Sequence, residues 1–187
     1  YRSPNFAGFS VHAAYAAAEG QYIGDTQGSF ANTAGFQIPT ARLNLENPMG
    51  FNARWAAGPI NIGVAYDLNT ADYDTTGVYG SYDFGFMTLY GQYETGTINN
   101  AAGTAKEDTG ASSISAKIPM GAGTFKAGYV GVSSGLANKD VNKYGLGVQY
   151  DLSKRTNIYS NIGDAGGDRA TGTQSDMRFD IGVTHRF

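Results

Sequence analysis

Asp176-Met177-Arg178-Phe179-Asp180-Ile181-Gly182-Val183-Thr184-His185-Arg186-Phe187 decides the reading of this chain. Met177, Phe179, Ile181, Val183, His185 and Phe187 fall on one parity. Asp176, Arg178, Asp180, Gly182, Thr184 and Arg186 fall on the other. Alternation with period two marks a strand with one apolar and one polar face. A run of about ten such residues is longer than the usual soluble strand and suits a tilted strand crossing a bilayer. As a long edge in water it would invite aggregation, whereas in a closed membrane barrel it has neighbours on both sides and lipid on one face.

The composition agrees. The 187 residues include 27 Gly, 13 Tyr, 10 Phe and 1 Trp, material for strands and interfacial aromatics. Charged residues make up 16%, against about 25% in an ordinary soluble domain. Mean hydropathy is −0.31, and no apolar run is long enough for a transmembrane helix. Alternating strands reconcile these facts, because residues facing water cancel those facing lipid in any window average. The absence of cysteine excludes disulfides and thiolate chemistry. A net charge of −3 argues against a nucleic-acid partner. The opening Tyr1-Arg2-Ser3-Pro4 reads as the middle of a strand, so the chain is expected to be a fragment or a processed piece.

The same alternation recurs along the chain. A first strand is expected over Gly8 to Ala17, with Phe9, Val11, Ala13 and Tyr15 on its apolar face. A second begins near Leu43 and Leu45 and continues through Phe51, Ala53 and Trp55. The next carry Ile60, Ile62, Val64 and Tyr66; Val78 and Tyr82; and Met87, Leu89 and Tyr93. Then come Ile114, Ala116 and Ile118; Phe125, Ala127 and Tyr129; and Tyr144, Leu146, Val148 and Tyr150. A ninth strand runs over roughly residues 156–163, with its facing undecided. Connections alternate between tight turns (Ala57-Gly58-Pro59, Asp83-Phe84-Gly85, Pro119 to Gly123, Leu152 to Arg155) and long polar loops, including residues 19–40, 95–111, 133–142 and 164–175. One rim of turns and one of loops is the pattern of an antiparallel transmembrane β-barrel. Tyr66 at one end of the apolar faces, and Tyr82 and Tyr150 at the other, are placed for aromatic girdles.

The chemistry offered by this pattern is electrostatic. Arg54, Lys117, Lys126 and Arg178 share the polar parity of their strands, since facing lipid would cost about 2–4 kcal/mol each at mid-bilayer. Asp67, Asp83, Glu94, Asp151 and Asp180 share it too, and Asp180 is read as the only one well inside a strand. A wall basic at mid-height and acidic at its rims would concentrate anions. The alternative is that these cations merely pair with wall carboxylates. His12 and His185 are isolated, so neither a metal centre nor a catalytic triad is expected, and no cofactor. Asp164-Ala165-Gly166-Gly167-Asp168 and Asn138-Lys139-Asp140 carry calcium-ligand types, but ordinary loops look the same.

Three motifs carry a resemblance. Tyr1-Arg2-Ser3-Pro4-Asn5-Phe6-Ala7-Gly8-Phe9 resembles the RYxSPxFxGF segment of general Gram-negative porins of the beta-proteobacterial type. Tyr150-Asp151-Leu152-Ser153-Lys154-Arg155-Thr156 is similar to their YxLSKRT periplasmic turn, and Gly182-Val183-Thr184-His185-Arg186-Phe187 to their GxxHxF terminus. The resemblance implies a passive, non-enzymatic, trimeric channel of about sixteen strands in the outer membrane. Its strands would contact lipid and lipopolysaccharide, and Phe187 would belong to the signal read by the outer-membrane assembly machinery. The chain is then a single domain, residues 1–187, forming the C-terminal portion, without the N-terminal strands and constriction loop. The expected function is diffusion of small hydrophilic solutes and ions with an anion preference, the wall being lined by Arg54, Lys117, Lys126, Arg178 and Asp180. A small closed barrel with a structural or adhesive role, and a soluble β-sandwich binding module, are the alternatives.

Overall fold

A computed structural model of the chain describes residues 1–17, 47–68, 73–99, 106–134, 140–167 and 177–187. Within them lie ten strands: β1 (Phe9–Tyr15), β2 (Met49–Ala57), β3 (Ile60–Leu68), β4 (Asp74–Asp83), β5 (Thr88–Asn99), β6 (Lys106–Met120), β7 (Gly123–Ser134), β8 (Val141–Asp151), β9 (Thr156–Gly167) and β10 (Arg178–His185). They form one antiparallel meander in sequence order, β1 to β10.

Parity survives the pairing. Ile118 lies opposite Phe125, Phe125 opposite Val148, Leu146 opposite Ile162, and Ile162 opposite Phe179, so apolar residues form continuous stripes over one face. The undecided facing of β9 is settled by its neighbours. Ile158 and Ile162 join the apolar face opposite Val183 and Phe179, leaving Asn157, Tyr159 and Asn161 on the polar face.

No hydrophobic side chain is buried among the described residues. Ile62 is 50% exposed, Leu146 49% and Ile181 75%. A soluble sandwich would hide these residues between two sheets, and the structure has one. Such a face is stable where the surrounding solvent is itself hydrocarbon. Among the described residues β1 and β10 share no ladder, so the small closed barrel lacks its closing pair.

The short turns stand where expected. Gly58, Gly85 and Gly121 supply positive φ in three of them, and in the fourth the Ser153 hydroxyl accepts hydrogen bonds from the Arg155 and Thr156 N–H groups, at 3.2 and 3.0 Å. The strands run further than expected at the opposite rim. β5 continues to Asn99, β6 starts at Lys106, β7 reaches Ser134 and β9 reaches Gly167, so most of the expected loop over 95–111 and the ends of those over 133–142 and 164–175 are strand. These extensions are rich in Thr, Ser and Gly. They show no apolar alternation because both faces meet water there, while the backbone ladder persists. The loop expected over 19–40, and Leu43 and Leu45, lie outside the described residues.

One turn is missing from the sequence reading. Asn5 to Gly8 folds residues 1–6 back along β1: the Ser3 N–H donates to the Val11 carbonyl and the Ala13 N–H to that of Tyr1, both at 2.9 Å. Ala7 and Gly8 both have positive φ, and the Asn5 side chain accepts the Gly8 N–H at 2.8 Å. The opening residues thus lie along β1 through isolated bridges, Arg2 opposite His12 and Phe6 opposite Phe9.

Candidate functional site: a basic basin on the polar face

Register places the polar side chains in oblique rows. One row runs Thr88, Lys117, Lys126, Gly147, Asn161, Asp180 across β5 to β10. The next runs Tyr90, Ser115, Gly128, Gly145, Gly163, Arg178. Three adjacent glycines in the second row leave no side chain above the sheet. Together the rows line a depression of about 780 Å³, into which Tyr90, Lys117, Lys126, Asn161, Arg178 and Asp180 contribute.

Lys117, Lys126, Arg178 and Asp180, four of the five expected wall residues, therefore meet around one basin. Arg54 is separate. It lies on β2 opposite Gly63, and its Nε donates to the Asn61 carboxamide oxygen. The heights differ from the expectation of a basic belt at mid-wall. Arg54, Lys117 and Lys126 each lie three residues from a short turn, about 10 Å from that rim; Arg178 sits further along its strand. Glu94 corrects the expectation that Asp180 is the only well-inserted carboxylate. It lies in the middle of β5, opposite Gly77, and accepts a hydrogen bond from the Gln92 amide at 3.0 Å.

The carboxylates nearest the basin are occupied by neutral donors. Asp180 accepts from the Asn161 backbone N–H at 3.2 Å and from its side-chain amide at 2.8 Å. Asp151 accepts from the Gln149 amide at 2.9 Å, and Asp83 from the Gly85 N–H at 2.8 Å. Lys126 donates to the Gln149 side-chain oxygen at 3.4 Å. All of these groups except Gln149, which is half-buried, are exposed, so water and salt reach them freely.

Sequence reasoning omits Lys143, because it begins the eighth strand at Tyr144. The ladder starts at Val141 and puts Lys143 on the polar parity, two residues from Gly145. Asn161 is missed because the facing of its strand is undecided in sequence. The polar flank of β2 and β3 carries a second cluster: the Asn52 amide donates to the Tyr79 hydroxyl at 2.9 Å, and Tyr79 lies against Gly63.

Among the described residues no group of three or more His, Cys, Asp or Glu could hold a metal. Asn138, Lys139 and Asp168 lie outside the described residues. Asp164 belongs to β9, where its carboxylate accepts the Tyr144 hydroxyl at 3.0 Å on the apolar face. Tyr129 likewise donates to the Asn142 side-chain oxygen at 2.9 Å. Such tyrosines, apolar in body and bonded to polar groups at the tip, fit the boundary between hydrocarbon and headgroups. At the turn rim, Tyr82 and Phe84 pack with ring centroids 4.6 Å apart.

Comparison with known proteins follows the same lines. A family model described as Gram-negative porin matches residues 1–170. Among solved structures, the anion-selective porin from Comamonas acidovorans superposes with a TM-score of 0.80 at 22% identity, covering 100% of this chain and 58% of that one. A porin refined at 1.8 Å resolution gives 0.72 at 22% identity, over 96% of this chain and 58% of its own. A loop-deletion mutant of an outer-membrane protein of Vibrio cholerae gives 0.62 at 19% identity, over 95% and 59%. No curated protein matches. The chain spans less than two thirds of the length of these structures, and identities this low establish a shared fold alone.

Proposed function

This chain belongs to the Gram-negative porin family, and from that premise we propose that it forms a ten-strand arc in the wall of a water-filled diffusion channel that prefers anions. The chain is a multi-pass β-strand protein of the outer membrane, its apolar face towards lipid. Its 187 residues act as a single barrel domain. The work is passive: small hydrophilic solutes and ions pass along the polar face, and no bond is made or broken.

The observation that carries the reading is the grouping of Lys117, Lys126 and Arg178 around one open basin, with the adjacent carboxylates engaged by amides. Positive charge concentrated along a pore wall raises the local concentration of anions. Arg54 extends the basic set along the same rim, and Asp180 orders Asn161 at the basin edge. The working assembly is a homotrimer embedded in lipid and lipopolysaccharide. Phe187, which stacks edge-on against His185 at 4.9 Å between ring centroids, presents the terminal aromatic to the assembly machinery.

Reversal potential in a potassium chloride gradient tests this reading. The complete channel protein in a planar bilayer should pass chloride in preference to potassium. A reversal potential of the opposite sign defeats the anion preference, and a protein that inserts but conducts nothing defeats the channel.

A further inference from the structure

We propose that Lys117 and Lys126 form a two-pronged binding station for a compact oxydianion, a phosphate or phosphomonoester group, at the glycine-floored basin. The inference rests on the reading that this face lines the channel, and it adds a site where that reading requires only a field.

Lys117 on β6 and Lys126 on β7 are in direct cross-strand register. Opposed side chains in an antiparallel pair have Cβ atoms about 5 Å apart, and like charges so placed destabilise the sheet. Such a pair is normally relieved by a carboxylate. Here the carboxylates nearest the basin, Asp83, Asp151 and Asp180, accept from Gly85, Gln149 and Asn161 instead. Among the described residues neither lysine forms an ion pair, and the one hydrogen bond of Lys126 is long, 3.4 Å, to a neutral oxygen. The two ammonium groups are therefore free to converge on an external anion.

The surroundings suit an oxyanion better than a halide. An ammonium is a compact point charge with three donors and is a common phosphate ligand. Thr88, opposite Lys117, and Ser115 and Tyr90 in the adjacent row supply hydroxyl groups on the same face. Beside the pair, Gly128, Gly145 and Gly163 leave the sheet bare, so a group larger than a single ion can settle against it. Lys126 and Gly147 are neighbours in register, and the Asn161 side chain leans over Gly147, closing the basin on that side. A dianion bridging the pair gains two charge-assisted contacts and removes the repulsion at once. In so open a site these contacts are screened by salt, so occupancy is expected at millimolar concentrations, weak enough for the anion to leave again.

The experiment uses the complete channel protein in planar bilayers and inorganic phosphate as the probe. Chloride conductance is measured at fixed ionic strength and at pH 8, where phosphate is a dianion. Phosphate binding to the same protein in detergent is measured by calorimetry, which does not depend on conduction. Saturable block and matching calorimetric binding are expected in the native protein. Lys117→Gln and Lys126→Gln should each raise the half-blocking concentration about tenfold, while Lys117→Arg keeps it within about threefold. Block that grows without saturation, or that both glutamine variants leave unchanged, overturns the station. A channel that prefers potassium but still binds phosphate through both lysines overturns the anion preference and leaves the station standing. A chloride-preferring channel without saturable phosphate binding does the reverse.

Discussion

Lys117 and Lys126 stand directly opposite one another across the β6–β7 ladder, each three residues from the hairpin that joins their strands. Neither could be moved to the other face without slipping the register by one residue, which would drive Ile118 and Phe125 into water. The apolar stripe on one side of the sheet thus holds the like-charged pair in place on the other.

Reversing that pair should reverse its field. In Lys117→Glu/Lys126→Glu the chloride-to-potassium permeability ratio is expected to fall by about fivefold per lysine, the equivalent of about 1 kcal/mol for a charge in water at contact distance. Reversal potentials at low and high salt check this. The shift should shrink at high salt, because the groups are exposed and screened.

The two faces should respond oppositely to the same new charge. Leu146 lies mid-strand on the apolar face and Gly145 beside it on the polar one. Leu146→Arg should lose about 2–4 kcal/mol of folding stability in lipid vesicles. Gly145→Arg should lose far less and should narrow the channel. Urea unfolding in vesicles, with single-channel conductance alongside, separates the two.

Gly63 is held as glycine by its neighbours. A Cβ there would stand 2.9 Å from the Ala53 carbonyl oxygen and overlap the Tyr79 ring. Gly63→Ala is expected to cost about 1–3 kcal/mol, the usual penalty of overpacking. Gly91→Ala on the apolar face, where nothing lies within 4 Å, should change stability little. Equilibrium unfolding of both variants under the same conditions is the measurement.

Among the described residues Phe187 makes one ring contact, with His185, and its side chain is exposed. Phe187→Ala should therefore leave the unfolding midpoint of the assembled barrel nearly unchanged. It should slow insertion when the assembly machinery is supplied in proteoliposomes. Equal insertion rates for native and variant chains would remove Phe187 from that role.

Except in β9, whose facing was decided by its neighbours, the strand faces were legible in the sequence because side-chain direction in a strand depends on local parity alone. Phe125 against Lys126, or Ile181 against Asp180, needs no knowledge of any partner, since hydrocarbon and water select alternate residues. The short turns were legible for a similar reason: glycine at positive φ, or a Ser hydroxyl in the turn, is a local requirement. The extended ends of β5, β6 and β9 were not, because above the membrane both faces are wet and the alternation that identifies a strand disappears. Nor was the basin. Lys117 and Lys126 are nine positions apart, and Gly128, Gly145 and Gly163 come from three different strands; only interstrand hydrogen bonding brings each set into one row. Which residues meet lipid was written along the chain, one position at a time. Which residues meet each other was decided by pairing across it, a property no single strand possesses.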